Sequence, residues 1–153
     1  MHRHVYFLAA VFLVTTASEV LAINPLEIWL KRNPRPEDNS IHSIASGNGR
    51  YVAVGENGLI IASTNGFRWQ AVQPESGLQW SWVAFGDGVF VAAGVDGSPF
   101  RTNVVAVSSN AIDWVVRSLD EEGDPSGMAF GGGLFVINMS EGSRPWLSSD
   151  GRN

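Results

Sequence analysis

The stretch IHSIASGNGRYVAVGENGLIIASTNGFRW, residues 41–69, decides the fold, because its features recur twice more along the chain. Residues 81–94, SWVAFGDGVFVAAG, repeat its first half, and residues 126–138, SGMAFGGGLFVIN, repeat it again. Gly47, Gly86 and Gly131 hold the same place in the three copies and follow one another at similar intervals. A period of this size indicates an array of repeated supersecondary units.

A second motif closes each copy with a similar period. The first copy ends in STNGFRW (63–69), the second in SSNAIDW (108–114), and the last residues, SSDGRN (148–153), follow the pattern up to the place of Trp. Short Asn or Asp side chains bond to backbone N–H groups in turns, Gly takes a left-handed position, and Trp packs across the hairpin. We therefore assign these motif residues to the fold: Ser63, Asn65, Gly66, Trp69, Ser108, Asn110, Trp114, Ser148, Asp150 and Gly151.

Turn residues divide each copy into four short strands. The pairs Asn48-Gly49, Asp87-Gly88 and Gly132-Gly133 are typical of two-residue hairpin loops between the first two strands. No segment after residue 22 keeps a helical period. The sequence therefore predicts an all-β fold, a partial β-propeller of about three four-stranded antiparallel blades. The predicted blades are residues 41–72 and 81–117, with a partial blade at 126–153, where Pro145 falls inside the expected third strand.

A lone fourth strand is predicted at residues 27–31, because Trp29 precedes Trp69 by one full repeat period. Closed propellers usually have about four to eight blades, and an open stack of fewer blades leaves apolar faces in water. We expect either a fragment of a longer propeller, with further blades in the parent chain, or self-association of short chains. The fragment is favoured, because the sequence stops inside a motif.

The Ser-x-Asn/Asp-Gly-x-x-Trp motifs resemble the Asp-box repeat of bacterial neuraminidases, with one residue fewer between Asp and Gly. The wider unit, VAVGENGLIIASTNGFRW, is similar to repeats of exported bacterial cell-surface propellers and of photosystem II assembly factors. The resemblance covers residues 27–153 and implies a propeller fold, which hosts many functions. For a sialidase it implies three Arg, a Tyr nucleophile and an acid pair. Tyr51 is the only Tyr after residue 22, and it lies beside a scaffold turn, so we do not expect this activity.

The N-terminal segment, residues 1–22, has the pattern of a signal peptide. Arg3 precedes an apolar run at residues 5–14, and Val20-Leu21-Ala22 is a small-x-small cleavage site. The apolar run is about half of the roughly 20 residues that span a bilayer. We therefore predict a signal peptide helix at 1–22, no membrane span after cleavage, and a secreted, periplasmic or cell-surface location.

Composition narrows the possible partners. The chain has 10 Lys and Arg against 15 Asp and Glu, a net charge of −5, which argues against a nucleic-acid partner. It has no Cys, so disulfides and thiolate metal sites are excluded. His42, the only His after residue 22, makes no metal or nucleophile–base site alone, and the acidic residues at 120–124 lack the spacing of a calcium loop. We predict no catalytic residue, metal or cofactor.

A binding site is expected on the loops between second and third strands, because tight turns occupy the other end of each blade. The segment from Gly94 to Ser108 is longer than the equivalent segment from Gly55 to Ser63, so the second copy carries an insertion in this loop. Long variable loops on a rigid scaffold often carry function. The candidate binding residues are Asp96, Phe100 and Arg101, with Trp80 and Arg144 as neighbours.

These features predict an exported, non-enzymatic binding or scaffold module with an unknown protein or carbohydrate ligand. The alternative is a fragment of a sialidase-like or other carbohydrate-active propeller enzyme, with its site in further blades. A third hypothesis is a ring of self-assembled short chains.

Overall fold

A computed structural model of the chain describes residues 39–72, 77–119, 123–140, 142 and 144–152. Over these residues the protein is all-β, with eleven strands and no helix. The predicted signal peptide at 1–22 and the predicted strand at 27–31 lie outside the described residues. A membrane-crossing helix, long and apolar enough for the bilayer, is absent from the ranges that the structure describes.

The strands form three antiparallel sheets in which each strand pairs with its neighbour in sequence. The first sheet contains β1 Ile41–Gly47, β2 Arg50–Gly55, β3 Ile60–Ser63 and β4 Gln70–Val72. The second contains β5 Leu78–Gly86, β6 Val89–Asp96, β7 Asn103–Ser108 and β8 Val115–Leu119. The third contains β9 Pro125–Gly131, β10 Leu134–Met139 and β11 Trp146–Ser148. The prediction of an all-β protein built from repeated four-stranded units is confirmed, with three strands described in the third unit.

Hairpin turns join the first two strands of every sheet in the conformation that their sequences require. Asn48 and Gly49 have φ values of 47° and 68°, and Asp87 and Gly88 have values of 44° and 79°. Two-residue loops with positive φ at both positions match the right-handed twist of the strands that they connect. The loops therefore place the paired strands in a register that the local sequence sets.

A bulge interrupts the first strand of each sheet at the same position. The pairing of β1 with β2 skips His42, that of β5 with β6 skips Ser81, and that of β9 with β10 skips Ser126. An extra residue in one strand reverses the face to which the preceding side chains point. The side chains before each bulge therefore point to the opposite face of the sheet from the one that simple alternation predicts.

The core lies between successive sheets. Val52 and Val54 of the first sheet pack against Phe90 and Ala92 of the second. Ala93 and Val105 of the second sheet pack against Ile137 and Met139 of the third. Since the second sheet is covered on both faces, the near-continuous apolar sequences of β6 and β7 are buried.

A glycine–phenylalanine contact recurs at both sheet interfaces. A Cβ atom at Gly47 would overlap the ring of Phe85, and a Cβ atom at Gly86 would overlap the ring of Phe130. The two rings have matching partners in the adjacent strand, because Phe85 lies 4.7 Å from Phe90 and Phe130 lies 4.7 Å from Phe135 between ring centroids. The glycine in each case allows the neighbouring sheet to approach closely.

Strand boundaries differ from the sequence expectation in two places. The second sheet extends from Leu78 to Leu119, beyond both predicted ends. Pro145 precedes β11 rather than lying inside it. Because proline has no N–H to donate, a position just before a strand sacrifices no ladder hydrogen bond.

Candidate functional site

The loop between β6 and β7, residues 97–102, is organised by the carboxylate of Asp96. Its Oδ1 atom accepts hydrogen bonds from the Ser98 hydroxyl at 2.7 Å, the Ser98 backbone N–H at 3.3 Å and the Thr102 backbone N–H at 2.8 Å. The bond from the Ser98 hydroxyl is the largest of the effects that lower the pKa of Asp96 below its ordinary value of 3.8. Asp96 therefore closes the loop as a carboxylate at neutral pH.

An ion pair connects this loop to the third sheet. The Nη2 atom of Arg101 lies 2.7 Å from Oδ2 of Asp124, and its Nε atom donates to Oδ1 at 3.4 Å. The backbone of Asp124 is itself bonded to Ser140, at 2.9 Å to the hydroxyl and 2.8 Å between backbone atoms. The side chains of Arg101 and Asp124 are 57% and 48% exposed, so the pair positions the loop and adds little to stability.

Phe100 is the most exposed large apolar side chain among the described residues. Its relative exposure is 92%, and it lies between Ser98 and Arg101, both of which make the contacts above. The loop therefore presents an aromatic side chain to solvent from a position fixed on both sides.

Trp80 does not belong to this surface. It lies inside β5 and is completely buried in the core between the first and second sheets. Its carbonyl oxygen accepts a hydrogen bond of 2.9 Å from Nδ1 of His42, whose Nε2 lies 3.7 Å from a carboxylate oxygen of Glu56. Trp80 is a core residue because β5 starts at Leu78, which places position 80 within a covered strand.

Arg144 is exposed and precedes β11. The 97–102 loop and the segment before β11 both join a second to a third strand, so they lie at the same end of their sheets. The structure thus brings Asp96, Phe100 and Arg101 together, with Arg144 at the same end of the next sheet. It adds Asp124, for which the sequence indicates only that the acidic residues at 120–124 lack the spacing of a calcium loop. The other members of that segment, Asp120, Glu121 and Glu122, lie outside the described residues.

The three Ser-x-Asn/Asp turns use their polar atoms within the backbone. Oδ1 of Asn65 accepts from the N–H groups of Phe67 at 2.9 Å and Arg68 at 3.0 Å, and the Ser63 hydroxyl oxygen accepts from Gly66 N–H at 2.9 Å. Equivalent bonds connect Asn110 to Ile112 and Asp113, both at 2.9 Å, and Asp150 to Arg152 at 2.8 Å. The residue that follows the Asn or Asp of the turn has positive φ in every copy: 69° at Gly66, 60° at Ala111 and 71° at Gly151.

The Trp side chains of these turns also serve the fold. Nε1 of Trp69 donates to the carbonyl of Gly66 at 3.2 Å, and its ring lies 6.5 Å from that of Tyr51. Trp114 packs against the core between the first and second sheets. The motif side chains therefore contact their own sheet or its neighbour.

A groove between the second and third sheets is the feature that sequence reasoning missed. Its volume is about 480 Å³, and its lining includes Val105, Leu119, Ile137, Trp146 and Arg152. The four apolar residues lie on strands, where the sequence pattern indicates only core, whereas Arg152 lies in the turn after β11. Among the described residues that line it there is no carboxylate side chain, so this part of the groove offers apolar contact with the cation of Arg152.

The part of the chain that the structure describes contains no preformed metal site. No three His, Asp or Glu side chains there lie close enough together to hold a metal ion. The carboxylates at the 97–102 loop are engaged by Ser98, Thr102 and Arg101. Over the described residues the arrangement can present a surface, and it has no visible nucleophile–base pair.

Comparison with known proteins supports the fold. No family model matches the sequence, and no curated protein matches it. A solved structure of YCF48 from Cyanidioschyzon merolae, a β-propeller, superimposes with a TM-score of 0.58 over 79% of this chain, at 21% sequence identity. The chain spans 37% of the length of that structure. The chain is therefore similar to part of a β-propeller.

Proposed function

We propose that this protein is an exported, non-enzymatic binding or scaffold module that contacts a protein or carbohydrate partner through the 97–102 loop. The observation that carries the proposal is Phe100, which is 92% exposed on a loop held by Asp96 on one side and by the Arg101–Asp124 pair on the other. A fixed aromatic side chain buries a large area on binding and loses little conformational freedom.

The chemistry around Phe100 supports presentation rather than catalysis. The Asp96 carboxylate accepts three hydrogen bonds from its own loop, and the Arg101 guanidinium is paired with Asp124. A general base or nucleophile needs a free group aimed at substrate. The same groups here determine where the loop lies.

The interaction surface is tested with the full chain and two serine variants. Phe100→Ser removes the proposed anchor, and Ile112→Ser removes an apolar side chain that is 49% exposed at the opposite end of the second sheet. Immobilised chains are incubated with solubilised envelope proteins and with a glycan panel, and retention is quantified. We expect Phe100→Ser to weaken retention of specific ligands by roughly tenfold or more, with Ile112→Ser matching the wild type. Equal retention by all three chains contradicts the proposal.

Export is part of the proposal and has its own test. Fractions of the producing cell are separated, and the N-terminus of the mature protein is sequenced. A chain that starts at Ile23 outside the cytoplasm supports cleavage after Ala22. A cytoplasmic chain that still begins at Met1 removes export from the proposal.

We further propose that the three turns are of the Asp-box type, because a serine, an Asn or Asp and a left-handed residue make the same kind of bonds in each copy. The Asp-box resemblance is also what suggests the alternative function, a part of a sialidase-like or other carbohydrate-active enzyme with its site in further blades. Reading the DNA beyond codon 153 separates the two functions, because further repeats with Arg, Tyr and Glu on their variable loops would favour the enzyme. Continuation into immunoglobulin-like or anchoring segments would instead favour the binding or scaffold module.

A further inference from the structure

The outward face of the third sheet has the glycine of the glycine–phenylalanine contact but no phenylalanine ring against it among the described residues. Gly131 pairs with Leu134 across its hairpin turn, as Gly86 pairs with Val89. Gly86 receives the ring of Phe130, but a Cβ atom at Gly131 would meet nothing within 4 Å. Among the described residues, the position above Gly131 is therefore open where its counterparts are filled.

The side chains around Gly131 are apolar, like those on the face of the second sheet that the third sheet covers. Leu134 is 37% exposed and Leu147 is 59% exposed. The residue of the second sheet that corresponds to Leu147 is Val107, which is only 5% exposed because the third sheet covers it. The third sheet thus presents to solvent the apolar positions that the second sheet buries.

The two existing interfaces indicate what chemistry fits this face. In each, the covering sheet contributes a Phe immediately before the last Gly of its first strand, Phe85-Gly86 or Phe130-Gly131. The first sheet of a second copy lacks this group, since it carries Ser46 before Gly47. A second copy would leave the position above Gly131 empty, although its Ile44 and Tyr51 are exposed and apolar.

We propose that the face formed by Gly131, Leu134 and Leu147 binds a further four-stranded sheet of the same repeat type whose first strand ends in Phe-Gly. Its ring occupies the space above Gly131, and the first sheet of a second copy is rejected because Ser46 cannot fill that space. The inference is independent of the 97–102 loop, which lies between other strands.

The test uses the full chain as both acceptor and probe. The acceptor is the wild type, and the probe is the double variant Ser46→Phe/Gly131→Val. Ser46→Phe supplies the ring, and Gly131→Val fills the space above residue 131 of the probe so that the probe cannot bind itself. Either protein alone is expected to be monomeric in analytical ultracentrifugation, and their mixture to form a 1:1 complex. Burial of one phenylalanine side chain predicts binding roughly tenfold or more tighter than that of the ring-free probe Ser46→Gln/Gly131→Val.

Three results overturn the inference. These are a mixture that stays monomeric, a complex that persists when the acceptor carries Gly131→Val, and a wild-type chain that associates as strongly as the mixture. Thermal melts by circular dichroism establish that each variant is folded. If Gly131→Val lowers the melting temperature, Gly131→Ala replaces it as the blocking change.

Discussion

Gly86 and Gly131 occupy the same strand position but have different surroundings. A methyl group at Gly86 would overlap the ring of Phe130, whereas one at Gly131 would meet nothing within 4 Å. We expect Gly86→Ala to lower the free energy of unfolding by about 2 kcal/mol, because overpacking forces the two sheets apart. Gly131→Ala should change it by less than about 0.5 kcal/mol. Urea denaturation of both variants measures the difference, and equal effects would show that the ring contact does not constrain the glycine.

Asn65 gives a second residue-scale prediction. Its Oδ1 atom accepts from two backbone N–H groups, those of Phe67 and Arg68. Asn65→Ala removes this acceptor, and we expect a loss of about 1 to 2 kcal/mol of stability. Asn65→Asp keeps the oxygen and should stay near the wild type. Thermal denaturation compares the variants, and similar losses in both would mean that the acceptor is not what stabilises the turn.

Ala111 and Gly151 show that the turn motif determines the backbone conformation of a residue but not whether its side chain fits. Both have positive φ in equivalent turns. The methyl group of Ala111 is fully buried in the core, yet a methyl group at Gly151 would overlap Val91 of the second sheet. The left-handed backbone follows from the local motif, but whether a Cβ is tolerated depends on the neighbouring sheet.

The 97–102 loop, as an element, should respond to pH through Asp96. Because folding lowers its pKa below 3.8, the Asp96 carboxylate contributes stability that is fully present above pH 3.8 and is lost as pH falls through the folded pKa. The difference in melting temperature between wild type and Asp96→Asn should therefore be constant at neutral pH and shrink below about pH 4.

Ser98→Ala is the matched variant for this titration. It removes the hydroxyl bond that contributes most to the lowered pKa of Asp96, so the folded pKa should rise toward 3.8. The stability that Asp96 contributes should then be smaller, and its loss on acidification should be complete at a higher pH. NMR titration of the Asp96 carboxyl group follows the same change directly. A carboxyl that titrates identically in both proteins would contradict the assigned cause.

The first strand of the second sheet, β5, has a feature that the sequence does not predict. Strict alternation places Trp80 and Trp82 on the same face of β5. The bulge at Ser81 separates them: Trp80 is buried against the first sheet, while Nε1 of Trp82 donates to the carbonyl of Pro125 in the third at 3.0 Å. The sequence predicts a blade that starts at residue 81 and so leaves Trp80 in the connection between sheets. No local signal reveals that β5 starts at Leu78 or that it bulges at Ser81.

At the scale of the whole molecule, stability should be greatest in the middle of the stack. Strands β6 and β7 are covered on both faces, whereas β10 and β11 leave Leu134 and Leu147 exposed. We expect backbone amides of β6 and β7 to exchange with solvent deuterium more slowly than those of β10 and β11, because an end unit opens at lower free energy. Hydrogen exchange followed by mass spectrometry measures this, and uniform protection would indicate a single cooperative unit.

The number of repeats, the hairpin turns and the all-β class were determined by the sequence itself, since each depends on residues close together in the chain. Asn48-Gly49 and its counterparts have positive φ in each hairpin turn. Each repeat of the sequence corresponds to one sheet of the structure. Only the tertiary structure decided that Trp80 is core, that Asp124 holds Arg101, and that a groove lies between the second and third sheets. Those features depend on how a neighbouring sheet approaches, because their contacts join residues that are distant in the chain.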